Sequence, residues 1–205
     1  MVAILSVQER NIIYFDRPGF QNTNPVIEAV KKRLESEDIK NVLVPVTTGR
    51  TAEQFIRELG KKVRVVTISE VEVAHACERI AETDQGIIRK IISKRLKKKS
   101  GKLDKSFRDI VDITFLPFCK EAWNVAKEIL YAFSQGMKVA IEVSLAAVEI
   151  KKVEPYTRAI AVGGTGEGAD TAIVVRLASQ KDAFGKDPDK RLTVEEILAI
   201  PINKW

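Results

Sequence analysis

The sequence predicts an α/β fold, a three-layer sandwich on a mostly parallel sheet, and three observations lead there. Seven short apolar runs rich in branched residues read as buried strands. Helical patterns separate most of them, the alternation that gives a parallel sheet covered on both faces. With 205 residues, 45% of them hydrophobic, the chain can bury one sizeable core, so residues 1–205 are read as a single domain.

The strand runs are Ile12 to Phe15, Val42 to Val46, Val63 to Ile68, Ile110 to Leu116, Lys138 to Val143, Arg158 to Val162 and Ala172 to Leu177. After the first comes a helix with Thr23 or Asn24 as cap, Pro25 at its first position, and Val26, Ile27, Val30 and Leu34 on one face. A second helix runs from Thr51 to Leu59 with Phe55, Ile56 and Leu59 inward. Val73 to Lys98 carries later isoleucines at helical spacing, with Gly86 as a break. Lys120 to Ser134 reads as a helix burying Ala122, Val125, Ala126, Ile129 and Phe133, and Gly136 as its stop. The polar stretch Ser179 to Arg191 reads as an excursion loop, and Leu192 to Ile202 as a strand or short helix returning to the sheet.

Composition narrows the class of function. The start MVAILSVQER fits neither a secretory signal nor a membrane span, so a soluble, cytoplasmic protein with no membrane partner is expected. Cys77 and Cys119 stand far apart without a CxxC pair, which supports neither a metal site nor a disulfide. The 30% charged content, two cysteines and one histidine suit a heat-adapted protein. Sheet edges and apolar helix faces leave homo-oligomerisation open.

The net charge of +6 is local: residues 89–108 hold ten Lys or Arg and one Asp, so the rest of the chain is slightly acidic. Such a segment suits nucleic acid, but no aromatic residue is interleaved before Phe107 and a solvated helix end explains it more simply. Nucleic-acid binding is kept as an alternative function.

The main chemical signal is NVLVPVTTGRTAEQFIRELG, where a strand ends in two threonines, turns at Gly49 and enters a helix. Free amides and the helix dipole at such a junction favour an anion at the carboxyl edge of the sheet. Thr47, Thr48 and Thr51 add hydroxyls, and Arg50 adds a charge-assisted contact. The competing reading is a plain helix capped by Thr51 with Arg50 solvated. The lysine of a P-loop is missing.

A second loop carries Gly163, Gly164, Thr165, Gly166 and Gly168, followed by Asp170 and Thr171. Four glycines within six residues exceed what a hairpin needs, and their amides could line an anion or a flat ligand.

Val44 to Ala52, VPVTTGRTA, resembles the strand and turn of the pyruvate kinase C-terminal domain, where a similar loop cradles a sugar phosphate of the allosteric activator. Ala161 to Arg176 resembles the glycine-rich loop between that domain's last two strands. The chain is closer still to small archaeal and bacterial proteins consisting of this domain alone, through Tyr14 to Thr23, Gly136 to Val143 and Gly163 to Arg176. That resemblance implies flavin mononucleotide (FMN) as cofactor, its phosphate on Thr47 to Thr51. Gly163 to Thr171 and the region of Asn22 would border the ribityl chain or ring. Between Ser69 and Leu116 the sequence departs from the group.

Pyruvate kinase activity is not implied, because its catalytic residues belong to a barrel domain this chain is too short to contain. Candidate acid-base groups are His75, Glu142, Glu149, Glu167 and Asp170, but spacing assembles no nucleophile with its base. Glu142 stands out, since a carboxylate in an apolar strand is costly unless paired or at the carboxyl edge near a ligand. Binding of a phosphate-bearing small molecule is the first functional reading and flavin-dependent redox chemistry an alternative.

Overall fold

A computed structural model of the chain describes residues 9–61, 63–69 and 120–203. It contains six strands, β1 (Ile13–Phe15), β2 (Asn41–Val46), β3 (Arg64–Ser69), β4 (Arg158–Gly163), β5 (Thr171–Arg176) and β6 (Thr193–Pro201). Four α-helices accompany them among the described residues: α1 (Thr23–Leu34), α2 (Arg50–Leu59), α3 (Lys120–Phe133) and α4 (Gln135–Glu149). The readings of a helix over 73–98 and a strand over 110–116 lie outside the described residues, as do the basic segment 89–108, His75, Cys77 and Cys119.

The strands form one sheet in the order β1-β6-β5-β4-β2-β3. The β1–β6, β2–β3 and β2–β4 pairs are parallel, and β5 alone runs against its neighbours β4 and β6. The α/β class and the mostly parallel sheet agree with the sequence reading.

Strand periodicity divides the core between the two faces. Val42, Val44, Ile160, Val162 and Val174 face α1 and α2, where they pack with Val26, Ile27, Val30 and Phe55. Leu43, Ala159, Ala161, Ile173 and Val175 face the other way, against Met137, Ile141, Leu145 and Val148 of α4. A strand buried on both faces has no polar alternation, which is why these segments appear as continuous apolar runs.

Several elements differ from the sequence reading. Lys138 to Val143 is not a strand but the middle of α4, in which twelve residues from Gly136 to Val148 are buried. A helix buried on all sides loses its amphipathic signature, and its apolar stretch mimics a central strand. Gly136 does not stop α3. The chain breaks at Ser134, whose extended backbone ends α3 and whose Oγ accepts from the Met137 amide (2.8 Å) to cap α4.

Smaller shifts occur elsewhere. A 3-10 turn, Phe20–Asn22, starts α1 at Thr23, so Pro25 falls third, still inside the turn whose amides lack helical acceptors. Ile56 is 50% and Ile129 58% exposed, while Leu130 and Ala126 pack against the core, so both helical faces are rotated slightly from the expected ones.

The amino edge of the sheet is closed by charge. Arg33, itself buried, donates to both oxygens of Asp38 (2.7 and 3.0 Å) and, through Nε, to Glu196 (2.8 Å). Arg158 reaches the same Asp38 (2.8 Å), tying the start of β4 to the loop after α1. No helix of the described residues is long and apolar enough to cross a membrane.

Candidate functional site

The carboxyl edge opens between β2 and β4. Registered pairing between them covers only Val42 with Ile160 and Leu43 with Ala161, although β4 continues to Gly163. Pro45, which has no amide to donate, lies in the part of β2 registered only with β3. From β2 the chain continues outward through α2 to β3, whereas from β4 it continues the other way through β5 to β6. This is a topological switch point, the place in an open α/β sheet where loops diverge and ligands are received.

A cleft of about 700 Å³ occupies that opening. Thr47, Thr48, Gly49, Arg50 and Thr51 form one wall, Gly164, Gly166, Glu167 and Gly168 another, and Phe20, Thr23, Gln135 and Val139 are among the other residues that line it. Three helix starts therefore meet here: Thr23 of α1, Arg50 of α2 and Gln135 of α4. Their dipoles favour negative charge in the cleft.

At the head of α2, Gly49 is the cap residue, in the left-handed conformation at φ 92, and no side chain caps the helix. Thr51 is thus not the N-cap, which removes the plain-cap reading of that residue. The Glu53 amide already bonds the Gly49 carbonyl (2.9 Å), so the donors left for a ligand are the amides of Arg50, Thr51 and Ala52. The Arg50 guanidinium, 75% exposed, lies 3.2 Å from Glu167 across the cleft. This contact joins the Thr47 to Thr51 turn to the glycine loop.

The glycine loop is held from beneath. Asp170 is fully buried and accepts from the Gly19 amide (3.2 Å), the Thr165 amide (2.9 Å) and the Thr171 hydroxyl (2.9 Å). Burial pushes the Asp170 carboxyl above its ordinary range, and these donors offset part of that rise. Because the Thr171 proton goes to Asp170, Ser134 donates to Thr171 Oγ1 (3.1 Å). A directed chain thus runs from the Met137 amide through Ser134 and Thr171 to Asp170. A Cβ on Gly136 would overlap both Thr171 and Asp170, and one on Gly163 would overlap the Gly136 backbone.

Of the residues expected from sequence, Thr47, Thr48, Gly49, Arg50, Thr51, Gly164, Gly166 and Gly168 line one cleft. Asn22, Gly163, Thr165, Asp170 and Thr171 stand behind it: Asn22 is buried and donates to the Arg17 carbonyl (2.8 Å), and the others build the loop. Glu142 is not at a strand end. It is fully buried on α4 in an ion pair with Lys138, one helical turn earlier and equally buried, and it does not line the cleft. Glu149 accepts from the Gln180 amide (2.8 Å), a bond that anchors the excursion loop.

Phe20, Thr23, Pro45, Glu53, Gln54, Arg57, Gln135, Glu167 and Val139 also line the cleft. Of these, Glu167 was named in the sequence as an acid-base candidate and within the Gly163 to Thr171 stretch, and Thr23 as a helix cap, while Phe20 and Thr23 fall in the Tyr14 to Thr23 resemblance. Pro45 carried a signal, since proline within a strand run marks a place where pairing fails. Among the described residues no cluster of three or more metal-ligating side chains forms. No family model matches the chain.

Proposed function

We propose that the carboxyl-edge cleft binds a phosphate-bearing small molecule, with FMN as the best-fitting candidate, in a domain similar to the pyruvate kinase C-terminal module. The observation that carries this reading is the uncapped start of α2. Gly49 turns the chain so that the first amides of α2 are free and Arg50 and Thr51 border a cleft which the glycine loop faces from the other side. The volume of about 700 Å³ lies within the range of small-molecule sites and leaves room beyond a phosphate. Phe20, Pro45 and Val139 add apolar surface on which a ring can rest, beside the polar Thr23, Gln54 and Gln135 and the charged Glu53 and Arg57. When bound, FMN would supply redox chemistry, while the chain's own part is to hold the phosphate and shield the ring.

Thermal unfolding of the full chain with FMN, ribose 5-phosphate and nucleotides tests this. The expected result is a rise in Tm with FMN that Arg50→Ala and Thr51→Val each reduce, with about tenfold weaker binding for loss of the charge-assisted contact. Both variants should unfold at the wild-type temperature without ligand, because Arg50 is exposed and Thr51 caps nothing. No shift with any of these ligands would remove the reading.

A further inference from the structure

We propose that Phe20 is the residue that selects a flat aromatic ring on the ligand, by stacking against it at the mouth of the cleft. The inference rests on the cleft being a phosphate site and says what the other half of the molecule must be.

Phe20 is 71% exposed, the largest exposure among the described large apolar side chains. Single exposed apolar residues are ordinary on a protein surface. This one differs in being on the cleft wall and in being carried by a backbone fixed from several directions. The Phe20 carbonyl accepts from Thr23 Oγ1 (2.6 Å), and Thr23 Oγ1 in turn accepts from the Ala169 amide of the glycine loop (3.0 Å). One residue earlier, the Gly19 amide donates to Asp170 (3.2 Å).

Gly168, at φ 83, approaches so closely that a Cβ there would lie 2.5 Å from the Phe20 Cα and 2.6 Å from Thr23 Oγ1. Three contacts to one loop, with a glycine required for the approach, hold the Phe20 backbone while leaving its ring uncovered. A largely exposed ring carried on a fixed backbone offers apolar surface on which a second ring can stack. The anion-favouring amides lie on one wall of the same cleft and Phe20 on another, so a ligand joining a phosphate to a planar ring meets both.

The test measures binding of FMN and of ribose 5-phosphate, which keeps a phosphate and a sugar but has no ring, to the wild-type chain, Phe20→Ala and Phe20→Tyr. The expected result is that Phe20→Ala binds FMN about tenfold more weakly, the size of one aromatic stacking contact. Phe20→Tyr should stay near wild type, and ribose 5-phosphate should bind all three alike. Unchanged FMN affinity in Phe20→Ala overturns the proposal. So does an equal loss for ribose 5-phosphate, which would make Phe20 a support of the phosphate turn. If the wild-type chain binds neither probe, the phosphate-site reading fails, and the role of Phe20 with it.

Discussion

At the residue scale, the cleft is governed by who neutralises Arg50. Its guanidinium is aimed across the opening at Glu167, 3.2 Å away, and both side chains are exposed. An exposed pair of this kind is weak and screened by water, so an arriving phosphate can displace the carboxylate at small cost. Glu167→Gln removes the competitor and one negative charge from the glycine loop. Phosphate-ligand affinity should therefore rise about threefold in calorimetric titration, the scale of an exposed ion pair. Weaker binding would mean that Glu167 contacts the ligand directly. Buried carboxylates behave differently: Asp170 gathers donors from three segments and organises the loop without reaching the cleft.

At the element scale, the site depends on how α2 and α4 begin. Gly49 is needed for its backbone, being left-handed with open space where a Cβ would point. Gly136 is needed for its size, because Thr171 and Asp170 fill that space. Gly49→Ala should lower stability by about 1 kcal/mol, the cost of one left-handed residue with a side chain. Gly136→Ala should cost more, up to about 3 kcal/mol, since an added methyl must displace a buried hydrogen-bonded chain. Denaturant unfolding of the two variants measures the difference, and equal losses would count against this assignment.

The same two helices show what sequence reasoning could reach. The start of α2 was legible, since two threonines, a glycine and an arginine after an apolar strand mark a turn into a helix. The start of α4 was not. Its apolar stretch is buried all round, so neither a period of 2 nor of 3.6 stands out, and Gly136 resembled a helix stop. The misreading also put Glu142 at a strand end, when its burial is answered by Lys138 on the same helix.

At the scale of the whole molecule, five of the six strands among the described residues and the mostly parallel sheet were legible from branched apolar runs, and the sixth was anticipated as a strand or short helix. Strand order was not legible, and the order is what creates the switch point between β2 and β4. The three helix starts meet there only in three dimensions, which is why Gln135 gave no sign of lining a site and Phe20 stood out only through the resemblance over Tyr14 to Thr23. Stability across the opposite edge of the sheet is tied to acid. Hydrogen bonds from Arg33, with the charges of Arg33 and Arg158, hold the Asp38 carboxyl below its ordinary range against a smaller opposing effect of burial.

A carboxyl lowered by folding contributes stability that is fully present above the ordinary carboxylate range. That contribution is lost as pH falls through the folded value. Wild-type Tm should therefore drop on acidification through this window, with Asp38→Asn less stable at neutral pH and its acid-limb slope shallower. Parallel pH profiles for the two proteins would contradict that role.

A crystal structure of the chain with FMN shows where the phosphate sits. The expected structure has the phosphate on the amides of Arg50, Thr51 and Ala52, with Arg50 turned from Glu167 toward it and the ring against Phe20. A phosphate bound anywhere else, or an FMN-saturated crystal with the head of α2 and the Arg50–Glu167 pair unchanged, would contradict it.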